Sequence, residues 1–122
     1  MALEDAFIEI AKIADTFNDI VVLCDRGLMD GSAYVTRSQW QALMDDLGVT
    51  IVQIRENRYD AVIHMVTAAD GAEDFYATQV EARYESAEEA REKDEFLRQA
   101  YMGHQRWILI SNKDCNDFQT KI

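Results

Sequence analysis

An apolar run at residues 20–24 ends abruptly in Asp25, Arg26 and Gly27. A carboxylate at the end of a strand can hold Mg²⁺ through water or accept a proton from an attacking hydroxyl. An arginine beside it can neutralise phosphate charge through its planar fork of donors. The pair suits phosphoryl chemistry, with Asp25 and Arg26 as catalytic candidates and Asp25 as the metal candidate. A plain turn held by the Asp side chain, with Arg26 salt-bridged to a neighbour, accounts for the same residues equally well.

Arg83 and Arg91 flank the start of a long acidic helix. A helical segment carrying two arginines can fold over a triphosphate as a lid. For Arg91, spacing favours ordinary surface pairing with Glu88 or Glu95. Arg83 lies outside the helix, so local pairing explains it less well. Asn112-Lys113-Asp114 imitates the start of the guanine-reading pattern Asn-Lys-x-Asp, but Cys115 stands at the acidic position. His64 reads as a packed, hydrogen-bonded strand residue. His104, at the end of the long helix, reads as a cation favoured by the helix dipole. The two histidines have no metal-ligand spacing, so no zinc site is expected. Cys24 reads as buried strand material and not as a nucleophile.

These residues need elements to position them. Leu3, Phe7, Ile10, Ala14 and Phe17 alternate by four and three, which predicts an amphipathic helix over 3–17. Residues 20–24 are β-branched and apolar, as in a strand buried on both faces. A loop over 27–32 follows. Thr36 and Gln39 form a capping box for a helix with Trp40, Leu43, Met44 and Leu47 inward, ended by Gly48. Residues 49–57 read as a short helix, 61–67 as a second buried strand, 68–71 as a tight loop and 72–78 as a short helix. Ser86 and Glu89 cap a helix over 87–102, and 107–110 make a third strand. Alternation of helix and strand implies an α/β fold with a parallel sheet. Ligands then bind beyond the carboxyl ends of the strands, near Asp25, Thr67, Asp70 and Asn112.

At 122 residues there is room for one domain, spanning 1–122. The charge of -11 disfavours nucleic acid and docking on an anionic membrane by charge alone. It leaves room for a small phosphate-bearing ligand, which needs only local cations and helix N-termini. No apolar run reaches transmembrane length and no signal peptide is visible. Two cysteines without a framework fit a reducing, cytoplasmic setting.

Four groups of residues, taken in order, resemble a known family. The first is 22–30 with Ala33, Tyr34 and Trp40. The second is 58–60, 62–69 and 71–73 with Phe75 and Tyr76. Arg83, Glu85, Ala90, Arg91 and Asp94 form the third. Gly103, His104, Asn112, Asp117, Phe118 and Lys121 form the fourth. From Leu3 to Lys121 the chain resembles the AAA-type P-loop NTPase domain of NadR-like kinases and TRPL-translocation-defect proteins.

The resemblance implies a three-layer P-loop NTPase-like parallel sheet that binds GTP or ATP with Mg²⁺. It implies Asp25 as the Walker-B-like or base carboxylate, Arg26 as its partner, Arg83 and Arg91 as lid arginines, and Asn112 near the base. In the translocation-defect proteins a second domain follows, associated with phosphoinositide binding and membrane-protein trafficking; that domain is absent here. The family's first strand and its Gly-x-x-x-x-Gly-Lys-Ser/Thr loop are also absent, so the sheet is expected to be incomplete and the domain truncated at its N-terminus. In the family that strand lies between the strands matched by 20–24 and 61–67. Gln105 replaces a proline and Ser111 an Asp. The expectation is a kinase- or NTPase-derived domain with impaired nucleotide binding, self-associating through open strand edges. The alternatives are a non-catalytic interaction or trafficking module, or a gene model lacking an upstream segment.

Overall fold

Capping chemistry fixes where two of the helices begin. The computed structural model describes residues 1–14, 20–76 and 85–113. In it α1 spans Ala2–Ala14, α2 Arg37–Leu47 and α3 Ala87–Tyr101. The Thr36 hydroxyl accepts from the Gln39 N–H while the Gln39 side chain accepts from the Thr36 N–H, and Ser86 and Glu89 do the same for α3. Gly48 ends α2 at φ 64°, a left-handed turn that glycine adopts without a Cβ penalty. Residues 49–57 do make a short helix, centred on Val52–Glu56, which closes on a wide turn with the Asn57 N–H bonded to the Val52 carbonyl.

β1 (Val62–Met65) and β2 (Trp107–Ile110) pair in parallel, Val62 opposite Trp107 and Met65 opposite Ile110. Among the described residues they form a two-stranded sheet, with α3 in the connection between them. The α/β reading holds at this level. The expected loop at 27–32 is a 3₁₀ turn, Leu28–Ala33. The short helix expected from residue 72 is a single 3₁₀ turn, Glu73–Phe75. The predicted ends of the first helix beyond Ala14 and of this turn beyond Tyr76 lie outside the described residues.

Residues 20–24 correct the sequence reading. They form no strand, and Cys24 is exposed rather than buried. A strand exists only where its N–H and C=O groups find a partner backbone. Among the described residues no backbone hydrogen bond joins 20–24 to another segment. The helix expected at the N-terminus forms as α1, with Leu3, Phe7 and Ile10 of its apolar face exposed. On α2, Trp40 and Met44 face the core as expected, whereas Leu43 and Leu47 face solvent.

The core gathers at the amino ends of the strands. Met29, Met44, Ile54 and Tyr101 are its buried centre, with Leu28, Trp40, Val62 and Trp107 packed around them. His104 is buried beside it. Its Nδ1 accepts the Arg106 N–H at 3.1 Å and its Nε2 faces the Tyr59 carbonyl at 2.9 Å. A carbonyl only accepts, so Nε2 carries the proton and the ring is neutral. This corrects the expected dipole-stabilised cation: two backbone partners fix the tautomer.

α1 is held by polar contacts. Arg58 donates to Glu4 at 2.5 Å and to Asp5 at 2.7 Å. The Tyr59 hydroxyl donates to Glu4 at 3.1 Å and accepts the Leu28 N–H at 2.8 Å. One phenol thereby joins α1, the 3₁₀ turn and the approach to β1. Burial, with the Glu4 carboxylate adding to it, pushes the Tyr59 hydroxyl up from 10.0 to about 12. A phenol whose folded value is raised contributes stability below pH 10 that is lost as pH rises through 12. Urea unfolding across pH 8 to 12 is therefore expected to show falling stability above pH 10. Tyr59→Phe is expected to lower stability at pH 8 by about 1–3 kcal/mol, through the orphaned Leu28 N–H, and to flatten the alkaline decline. An unchanged alkaline slope in Tyr59→Phe would contradict this assignment.

Candidate functional site

The carboxyl ends of β1 and β2 converge on the loop at 67–71. Asn112, just past β2, donates from Nδ2 to the Thr67 carbonyl at 2.8 Å and the Asp70 carbonyl at 2.7 Å. Arg91, in the second turn of α3, donates to the Ala69 carbonyl at 2.7 Å. Asp94, one turn further along α3, accepts the Thr67 N–H at 2.9 Å and faces His64 Nε2 at 3.3 Å. Three side chains from two elements thus hold one short loop by its backbone. Gly71 turns that loop at φ 85° with the Asn112 and Lys113 side chains close against it.

The charges here are mixed. Lys113 pairs with Asp70 at 3.1 Å. The Gly71 N–H bond to Glu73, with help from Arg91 and Lys113, holds the Glu73 carboxyl below its usual value. Thr67, Asp70, Arg91, Asp94 and Arg98 line a cavity of about 90 Å³. Since water takes roughly 30 Å³, that space suits a few waters or one small ion. Nucleotide-sized pockets start near 300 Å³.

Asp25 and Arg26 lie elsewhere. Gly27 sits against Tyr101 and Tyr59, at the far end of α3 from Arg91. Ten residues of helix separate Arg91 from Tyr101, roughly 15 Å at 1.5 Å per residue. The structure therefore brings Arg91 and Asn112 together but does not bring them to Asp25 and Arg26. Arg83 lies outside the described residues. Asp25 and Arg26 are exposed. Arg26 stands at φ 81°, alone among the described non-glycine residues in having positive φ. Its weak pairing with Asp30 at 3.4 Å on the surface does not explain that conformation. Backbone strain of this kind concentrates at functional positions.

The Arg91 guanidinium bonds a loop carbonyl rather than the expected Glu88 or Glu95. His64 is packed and hydrogen-bonded, as its strand position implies. Asp94 is the residue that chain spacing underrated. Its signal was available, because it stands three residues after Arg91 on the same face of α3.

A family model described as AAA domain matches residues 1–117. The chain belongs to the AAA domain family. That places it among P-loop NTPase-type, nucleotide-binding domains, and the α/β order of its elements agrees. No curated protein matches the chain, and no solved structure does. Among the described residues no helix is long and apolar enough to cross a membrane.

Two substitutions separate strain from packing at 26 and 27. Arg26→Gly is expected to raise stability by about 1 kcal/mol, because the left-handed cost vanishes and a surface ion pair is worth less than that. Destabilisation on chemical unfolding would make Arg26 a structural residue. A Cβ on Gly27 would meet the Tyr101 hydroxyl at 2.1 Å. Gly27→Ala is expected to cost about 1–3 kcal/mol. Adding Tyr101→Phe should recover part of that loss, a coupling that a double-mutant cycle measures directly.

Proposed function

We propose that this AAA-family chain is a nucleotide-binding domain that takes GTP or ATP with Mg²⁺, and that by itself it binds them weakly. Arg26 carries the reading. It is an exposed arginine in a strained left-handed conformation beside an exposed carboxylate, at a position where neither packing nor pairing calls for it. In this reading Asp25 holds the metal through water and accepts a proton, and Arg26 neutralises phosphate charge. Arg83 and Arg91 would serve as lid arginines and Asn112 would lie near the base.

Among the described residues no three His, Cys, Asp or Glu side chains gather to hold a metal by themselves. A single exposed carboxylate still fits Mg²⁺ that arrives on phosphates, since Mg²⁺ keeps several waters and takes one or two protein carboxylates. When bound, the ion would neutralise charge on the phosphoryl oxygens. Weak binding follows from the sequence, which has no Gly-x-x-x-x-Gly-Lys-Ser/Thr stretch to cradle them.

A second reading, a non-catalytic interaction or trafficking module, has one observation in its favour. Arg91 and Asn112 spend their donors on loop carbonyls. To contact a ligand, Arg91 would have to leave the Ala69 carbonyl. Phosphoinositide or protein partners belong to this reading, as does a cytoplasmic setting.

Calorimetric titration with Mg-GTP and Mg-ATP is expected to give Kd weaker than about 100 µM, or roughly 5.5 kcal/mol. Millimolar nucleotide should then shift the amide resonances of Asp25 and Arg26, and Arg26→Ala should remove that response. Micromolar binding would overturn the impairment. Shifts confined to 67–71 would move the site to the strand ends, and no shift at all would favour the interaction module.

A further inference from the structure

Asp25 is the chain neighbour of Arg26, yet among the described residues Arg26 forms its ion pair with Asp30 instead, at 3.4 Å. The two partners differ in their surroundings. The Arg26 side chain is 64% exposed and the Asp30 side chain 16%. The Asp30 N–H bonds the Gly27 carbonyl at 3.1 Å, and the Leu28–Ala33 turn that carries it is tied to the Tyr59 hydroxyl and packs on α3. The buried Tyr101 hydroxyl lies near the Asp30 carboxylate. Arg26 is thus a long arm with many rotamers, and Asp30 is a charge fixed in place. Taking a carboxylate largely out of water is unfavourable unless its partners compensate, and an ion pair this long compensates little. The fold by itself gives no reason for a charge at Asp30.

The pair is built to guide the arginine and not to consume it. A guanidinium carries five N–H donors, and here only Nη1 meets Asp30. The other donors stay available to phosphate oxygens. Arg91 is the contrast, with its guanidinium bonded to the Ala69 carbonyl at 2.7 Å. A second consequence concerns Asp25. An arginine paired with Asp25 would cancel the charge that draws a metal ion. With Arg26 drawn to Asp30, Asp25 stays exposed and unneutralised, as Mg²⁺ bound through one or two carboxylates requires.

We propose that Asp30 is a positioning residue, which holds the Arg26 guanidinium ready for phosphate and away from Asp25. This role rests on the nucleotide reading of Asp25 and Arg26 and adds the residue that keeps their two charges apart. The sign of its effect separates it from plain electrostatics. Asp30 is an anion near a phosphate, so repulsion alone predicts that removing its charge strengthens nucleotide binding. Positioning predicts the reverse, because an unguided arginine loses more rotamer freedom on binding and is free to turn onto Asp25.

Magnetic resonance of the whole chain tests this with and without ligand. In the ligand-free protein, Asp30→Asn is expected to move the Arg26 Nε–Hε signal and the Asp25 carboxylate carbon, while the signal of the exposed Arg37 stays in place. Titration with millimolar Mg-ATP, followed at the Asp25 and Arg26 amides, should show Asp30→Asn binding about 5-fold more weakly, or by roughly 1 kcal/mol. Asp30→Glu, which keeps the charge, should recover most of that loss. Unchanged or tighter binding in Asp30→Asn, or an unmoved Arg26 signal, overturns the role of Asp30 and leaves the nucleotide reading standing. An equal loss in Asp30→Glu also counts against it. Asp30→Asn keeps the shape of the side chain, so unfolding of that variant by circular dichroism would make Asp30 a residue of the fold and overturn the role as well. Wild-type Asp25 and Arg26 amides that ignore millimolar Mg-ATP would overturn the nucleotide reading and this role with it.

Discussion

The β1–β2 ladder sets Val62 against Trp107 and Met65 against Ile110, and the polar end of the molecule takes its position from that pairing. Parallel register brings the exits of both strands to one edge. Asn112 leaves β2 beside Thr67 leaving β1, near enough to bond its carbonyl and that of Asp70. α3, packed on the Leu28–Ala33 turn, brings Arg91 and Asp94 to the same loop. Slipping the register by one residue would turn every side chain to the opposite face and pull these donors from their acceptors.

The other end of the strands is organised by burial. Met29, Met44, Ile54 and Tyr101 exclude water there, and polar groups that enter must be satisfied. His104 meets this demand with two backbone partners, and Tyr59 with Leu28 and Glu4. Tyr101 does not: its hydroxyl has no partner of good geometry among the described residues. Burial first, and then the nearby Asp30 carboxylate, drives its ionisation well above the ordinary phenol value. The α1 helix joins this end through Arg58 and Tyr59 rather than through its apolar stripe. Its apolar stripe stays exposed at Leu3, Phe7 and Ile10.

Function and stability divide the same residue types. Arg91 and Asn112 have the chemistry to meet phosphate and base, yet both are used to hold a loop. Asp25 and Arg26 are used by nothing in the core, and Arg26 bears backbone strain with only a weak ion pair to Asp30 beside it. Family membership concerns the chain as a whole. It does not make each matched residue a ligand, and burial and hydrogen bonding distinguish residues holding the fold from those free to act.

Much of the local structure was legible in the chain. Both capping boxes, the Gly48 stop, the last strand and the parallel α/β order follow from residues within a few positions of one another, because caps and turns are local chemistry. The four ordered motifs likewise pointed to the AAA domain family, the level at which the family model agrees. Tertiary structure alone decided three matters. Residues 20–24 have the composition of a buried strand and are not one, because a strand needs a partner backbone that composition cannot supply. Leu3, Phe7 and Ile10 keep helical spacing but face solvent, because periodicity fixes which residues share a face and not what covers it. The resemblance put Asp25 and Arg26 in one site with Arg91 and Asn112. They occupy opposite ends of α3, because distance in space is set by packing and the sequence records only distance along the chain.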